Sequence, residues 1–273
     1  MCKFKLFSIA AAALMMVACS TDDLTQQTQI KTGEMHFTAT IAAPSGTTRT
    51  TYEQDGDNIN VKWVVGDEIA LVHNKVKDVA KVKSISSDGT SATIEGIITG
   101  SPKDEDPIQL FYPAALISGV TSDGNPVFDG SVEGKISSQD GTPKYIQDNL
   151  DYRKDETLTL TVTESGATLS GEADMTVDFS IFKFTLQDDD TAALAVNKFT
   201  LKQNVFPLVG TVELATTSST FYLAVPSLNV ASKITFEATI GEDTYTYEKE
   251  DVTIAPSKYY QCTLTMTKTA GPY

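Results

Sequence analysis

Two histidines, three cysteines, two arginines and 36 acidic residues are the material from which this chain could build chemistry. His36 and His73 each fall inside a strand pattern, with no second histidine or cysteine nearby to complete a tetrahedral zinc set. His36 alternates outward with Thr38 and reads as an exposed strand residue. No G-x-S-x-G elbow, P-loop or G-x-G-x-x-G run occurs, so neither an activated serine nor a phosphate cradle is on offer. The carboxylates could supply a glycosidase pair, but on so acidic a chain they read as a solvated face. Asp55-Gly56-Asp57-Asn58 and Asp188-Asp189-Asp190 carry oxygen ligands of the kind calcium takes. Neither continues to the bidentate glutamate that closes an EF-hand loop, and Asp, Gly and Asn are also what tight turns demand. The expectation is a protein that is not an enzyme and that uses no metal and no cofactor.

Chemistry of another kind sits in the first nineteen residues. Lys3 and Lys5, the apolar run from Leu6 to Val17 and the closing Ala18-Cys19 have the layout of a secretory signal peptide. The run is shorter than the ~20 apolar residues a membrane-spanning helix needs. Met16-Val17-Ala18-Cys19 resembles a bacterial lipobox, in which the cysteine is acylated, with palmitate among the chains, and becomes the first residue of the mature protein. Each buried acyl carbon is worth about 0.8 kcal/mol, so two or three chains anchor a protein to a bilayer. Ser20-Thr21-Asp22-Asp23 resembles the surface-export tag of Bacteroidetes lipoproteins, which places Cys19 in outer-membrane lipid with the protein exposed at the cell surface. Residues 1–19 are thus read as signal peptide and the aperiodic, polar residues 20–33 as a spacer.

Cys2 and Cys19 belong to targeting, which leaves Cys262 without a disulfide partner in the folded part. A hydrophobic core must supply the stability, and about 250 mature residues can bury one or two. The formal charge of -15 becomes -17 once Lys3 and Lys5 are removed. Such a surface repels phosphate backbones, so nucleic acid is excluded as a partner.

Arg49 lies in Ala43-Pro44-Ser45-Gly46-Thr47-Thr48-Arg49-Thr50-Thr51, whose Pro, Ser and Gly mark an exposed loop. No other basic residue stands between Lys31 and Lys62. A trypsin-like protease cutting between Arg49 and Thr50 would separate the segment Met35–Ile41 from the rest. On spacing alone, Arg49 also reads as a plain surface arginine.

The elements that would carry these residues are strands. Met35, Phe37, Ala39 and Ile41 point one way and His36, Thr38 and Thr40 the other. Similar runs recur at 69–72, 79–85, 92–98, 108–112, 158–162, 179–186, 199–202, 221–225, 234–240 and 245–247, separated by Gly-, Asp- and Asn-rich turns. Abundant threonine favours a pleated surface over a helix, and no amphipathic helix is expected. Many short strands with frequent turns predict an all-β protein of two tandem antiparallel β-sandwich domains. The polar stretch Glu164 to Asp174 marks the boundary, giving an N-terminal domain over 34–172 and a C-terminal one over 173–273. Within the latter, Tyr260, Cys262, Leu264 and Met266 alternate with Gln261, Thr263, Thr265 and Thr267. They offer an apolar row comparable with that of Met35 to Ile41.

Thr48-Arg49-Thr50 after a strand, then Val61-Lys62-Trp63-Val64-Val65-Gly66-Asp67-Glu68-Ile69, then Phe111-Tyr112-Pro113-Ala114 resemble the N-terminal domain of the Bacteroidetes fimbrillin family, subunits of type V pili. Ser257-Lys258-Tyr259-Tyr260 before a terminal strand resembles the end of that family. The resemblance implies two transthyretin-like sandwich domains and export as a lipoprotein. It also implies cleavage after an arginine, here Arg49, by a trypsin-like protease. The first strand, with Met35, Phe37, Ala39 and Ile41, is then displaced, and a donor strand from another pilus subunit fills the groove, with Tyr260, Cys262, Leu264 and Met266 as candidates. The product would be a surface fimbrium that meets a host or bacterial ligand. Asp190-Thr191-Ala192 resembles the short O-glycosylation sequence of Bacteroidetes secreted proteins. Beside this reading stand a non-polymerising surface lipoprotein that binds glycans and a carboxylate-dependent hydrolase. Trp63 is read as a core residue flanking a turn at Gly66-Asp67, with a sugar-stacking platform as its alternative.

Overall fold

Alternation decides the first strand, β1 (Met35–Ala42): Phe37, Ala39 and Ile41 are buried while His36, Thr38 and Thr40 face out. The computed structural model describes residues 33–42, 54–55, 58–59, 62–177, 179–203 and 211–269. After β1 come a two-rung ladder of β2 (Gln54–Asp55) and β3 (Asn58–Ile59), then β4 (Glu68–His73), β5 (Val76–Ile85), β6 (Ser91–Ile98) and β7 (Pro107–Tyr112). A small hairpin of β8 (Ile117–Val120) and β9 (Pro126–Phe128) leads to helix α1 (Ser131–Ser137), β10 (Ser138–Gln139) and helix α2 (Pro143–Asn149). The first half closes with β11 (Arg153–Thr163), β12 (Gly166–Leu169), β13 (Ala173–Asp174) and β14 (Thr176–Val177). The second half is β15 (Phe179–Gln187), β16 (Lys198–Gln203), β17 (Thr211–Ala215), β18 (Thr220–Pro226), β19 (Leu228–Ile240), β20 (Asp243–Ile254), β21 (Tyr259–Thr265) and β22 (Thr267–Thr269).

The all-β class holds, and the strands fall where alternation puts them. The first sheet runs β12-β1-β6-β5-β4-β7-β11-β14, and a further pairing of β12 with β11 closes it on itself. It is therefore a barrel of seven strands rather than an open two-sheet sandwich; β12 pairs antiparallel with β11, and the short contacts of β1 with β12 and β13 run parallel. Inside lie Phe37, Ile41, Trp63, Ile69, Leu71, Ile94 and Leu110 among others. The opposite faces of β4 and β7 (Ala70, Val72, Phe111) bury a second, smaller cluster with Leu116 and Ile117. Burial on both faces explains why these two strands read as continuous apolar runs.

Strands of the second half, joined by β10 from the first, form a six-stranded sheet, β10-β17-β16-β19-β20-β22, facing a three-stranded one, β18-β15-β21, over a core that includes Phe184, Phe199, Phe221, Phe236 and Leu264. Here too a parallel pair occurs, β15 with β21. The expectation of purely antiparallel sheets is corrected on both counts. Residues 173–177 pair in the first sheet, and Met175 packs in the first core. Residues 31–273 make one compact unit.

Two helices appear where none was expected. Each is seven residues long and buries a single side chain, Ile136 or Ile146, too little to write a helical period. Local chemistry starts the second: Pro143 follows Thr142, whose hydroxyl accepts from the Tyr145 N–H. Between the helices, Gln139 has its backbone in the six-stranded sheet and its buried amide on β18 of the other. Its Nε2 donates to the Ala224 carbonyl at 2.8 Å and its Oε1 accepts from the Ala224 N–H at 2.9 Å. The Tyr222 N–H donates to the Gly141 carbonyl next to it.

Candidate functional site

β1 and the slot it occupies come first. It pairs antiparallel with β6 over all eight residues, from Met35↔Ile98 to Ala42↔Ser91. On its other side it runs parallel to β12 at Phe37↔Ala167 and to β13 at Ile41↔Ala173. β1 is thus flanked on both sides, because the barrel closes around it. Phe37 and Ile41 are buried at 1% and 0% exposure, Ala39 is buried and Met35 half-buried. Each large side chain so buried contributes about 1.5–3 kcal/mol. Backbone approach is close at Gly166, where a Cβ would lie 2.6 Å from the His36 carbonyl oxygen. Cys19, Arg49 and Thr50 lie outside the described residues.

The candidate donor row is seated in its own chain. β21 pairs with β15 through seven rungs, from Ile181↔Tyr259 to Gln187↔Thr265, and stands at the margin of its sheet. Leu264 and Met266 are buried in the second core, whereas Tyr260 and Cys262 are half-buried. Tyr260 stacks on Phe182 with centroids 4.7 Å apart. Burial raises the Cys262 thiol above its ordinary value.

The Trp63 motif proves structural. Trp63 is 1% exposed in the barrel core, which removes the sugar-platform reading. Gly66 takes φ +93, a conformation side chains resist, and its N–H donates to the Val82 carbonyl. The Asp67 carboxylate accepts from the Val64 N–H at 3.0 Å and from the Tyr112 hydroxyl at 3.3 Å. Tyr112 meets Trp63 edge-on at 5.3 Å.

Sequence reasoning missed the residue that completes this corner. Arg153 is 1% exposed; its Nε and Nη2 each donate to Asp151 at 2.8 Å. Its guanidinium lies 4.3 Å from the Trp63 ring and 4.9 Å from that of Tyr112. A charged residue inside a strand pattern reads as surface, so the Asp-x-Arg spacing was the only signal.

A second buried polar group sits on β4. His73 follows Ile69 and Leu71 on the inward row, and its Nε2 is 3.1 Å from Asp78 Oδ2. Asp78, 10% exposed, also accepts from the Thr99 N–H and hydroxyl. Burial pushes the Asp78 carboxyl up, but the hydrogen bonds from His73 and Thr99 outweigh it and hold the group below its ordinary value. A carboxylate so depressed contributes stability that is present above the unfolded value, near 4, and is lost as pH falls through the folded one. Asp78→Asn is therefore expected to cost about 1–3 kcal/mol at pH 7. In urea denaturation the gap to the parent chain should narrow as pH drops below about 4; a gap independent of pH would contradict this account.

Other candidates resolve into turns. Asp188 Oδ1 accepts from the N–H groups of Asp190 and Ala192, with Thr191 exposed at φ +68. His36 is exposed, as expected. Among the described large apolar side chains, Phe128 is the exposed aromatic, packing edge-on against Phe111.

No protein-family model matches the chain, and no curated protein shows a significant match. Among solved structures, it is similar to a fimbrial protein from Bacteroides ovatus at 11% identity and TM-score 0.38, covering 85% of this chain. The chain spans about half of that protein, 48% of its length. A candidate cell adhesion protein from the same species matches at 15% identity and TM-score 0.45, covering 86% of this chain and 95% of the other. One from Bacteroides uniformis matches at 11% and 0.44, covering 88% and 98%. At such values the likenesses decide neither fold nor function.

Proposed function

We propose that this chain is a structural and adhesive subunit of a cell-surface pilus, assembled by exchange of β1 for a strand of another subunit. In this reading Cys19 carries the lipid that brings the precursor to the outer membrane, and a trypsin-like protease cuts between Arg49 and Thr50. The barrel and the sandwich are two transthyretin-like domains. In this reading the first domain covers 34–172 and the second 173–273, although the short strands of 173–177 pair in the first sheet.

One observation carries the proposal. β1 supplies Phe37, Ala39 and Ile41 to the core and full backbone pairing to β6, yet its covalent link to the other strands runs through the segment containing Arg49. One cut there leaves the strand held by non-covalent contacts alone. Its loss would bare an apolar row and unpaired backbone on β6, a template for strand addition. A head-to-tail contact of this type does not close on itself and grows into a filament.

Arg153 sharpens the test, because the other arginine of the chain is sealed. A low dose of an arginine-specific protease is expected to give one product beginning at Thr50, with no cut at Arg153 until denaturant opens the barrel. Electron microscopy of that product should show rods. A product that stays monomeric would sink the proposal, as would native cleavage at Arg153 before Arg49.

A further inference from the structure

Residues 131–150 stand in sequence between two strands of the first half, β9 and β11, yet most of their contacts lie on the second. β10 extends the six-stranded sheet by parallel pairing with β17, at Ser138↔Glu213 and Gln139↔Leu214. The helices on either side of it cover the outer face of the three-stranded sheet. There Ile136, Ile146 and Leu150 pack with Phe179, Ile181 and Tyr259, which alternate with the residues that point into the sandwich core. A sheet with two apolar faces needs a cover on each, since soluble monomers rarely leave such a patch bare. Gly141 completes the fit. It takes φ +79, and a Cβ there would stand 3.1 Å from Leu214 of one sheet and 3.2 Å from Phe221 of the other, so bare backbone passes where a side chain has no room.

The ends of this cover belong to the barrel. β11 begins at Arg153 as a barrel strand, paired with β7 and further on with β12. Val132 and Tyr152, near the two ends of the segment, pack both against the helix cluster and against the cluster on the outer face of β4 and β7. Within the segment, the Tyr145 hydroxyl lies 3.1 Å from the Lys135 carbonyl oxygen and 2.9 Å from that of Ser138, so the second helix is tied to the first and to β10. The barrel has no comparable debt: among the described residues its core includes none beyond Met175.

We infer that residues 131–150 are a brace lent by the first half, and that the second half keeps its fold only while the barrel holds that brace in place. Three functions of the three-stranded sheet depend on it: the outer face, the margin of β18 and the added strand of the facing sheet. Opening of the barrel withdraws all three together. The second half therefore cannot outlast the first, whereas the first can outlast the second. This order does not depend on the strand-exchange reading.

Two native reporters read the halves separately in the full chain. Trp63, the one tryptophan, lies in the barrel core, and Cys262 packs against the second core. In a urea series, tryptophan fluorescence follows the first half, and alkylation of Cys262, located by mass spectrometry, follows the second. In the parent chain Cys262 is expected to be labelled at or below the urea concentration that releases Trp63. Gln139→Ala strands the Ala224 N–H and carbonyl, and should lower the Cys262 midpoint by about 0.5–1 M while the Trp63 midpoint stays. Leu71→Ala, in the barrel core, should lower the Trp63 midpoint by about 1 M or more, with Cys262 labelled no later. Ile94→Val is the milder form if that chain does not fold. Cys262 still protected after Trp63 is released, in any of these chains, would overturn the inference. So would a Cys262 midpoint that Gln139→Ala leaves in place.

Discussion

Phe37→Ala is expected to lower the stability of the intact chain by about 3–5 kcal/mol and, after cleavage at Arg49, to speed loss of the N-terminal fragment. The ring is 1% exposed and stands between Gly96 and Ala167. Neither flank can swell to fill the void: one is glycine because β5 presses on it, and the other carries a single methyl. Sites that cannot collapse pay the upper part of the cavity cost. Two measurements check it, urea denaturation of the uncut chain and the half-life of the cut complex on a sizing column. A loss below about 1 kcal/mol, or a fragment that leaves no faster, would mean that the slot holds β1 by backbone pairing rather than by this row.

Arg153→Ala should be comparably damaging, at about 3–5 kcal/mol, because it deprives Asp151 of a bidentate partner and opens the space between Trp63 and Tyr112. Replacing both members, Arg153→Met with Asp151→Asn, should recover much of that loss, since an apolar side chain can fill the gap without stranding a charge. Equal damage from the single and double variants would overturn this account, since the double variant restores the volume and removes the unmatched charge. Limited digestion with a nonspecific protease gives a second measurement: the single variant should be cut at this corner under conditions where the parent chain resists.

What alternation could say, it said correctly. β1 has one buried row and one exposed row, and period two is local information. Gly66 and Trp63 were legible for the same reason, since a tight turn before a strand leaves a local mark. Closure of the barrel was not legible. It depends on β12, four residues whose partners on β1 lie far away in sequence, and nothing in a tetrapeptide announces a distant parallel neighbour. The helices were too short for their period to show. His73 could have been found, because it continues the inward row of Ile69 and Leu71, whereas its acceptor Asp78 lies across a hairpin on β5.

Gln139 has one further consequence. An amide side chain presents the same donor and acceptor as a peptide group, so Gln139 at Ala224, with the Gly141 carbonyl at Tyr222, finishes the margin of β18. A whole added strand would have done so only by creating a fresh margin of its own. The three-stranded sheet thus ends in a stopper on one flank and, among the described residues, in the unpaired margin of β21 on the other. Growth of that sheet among the described residues is blocked beside β18 and left open beside β21, a polarity set by Gln139 and Gly141.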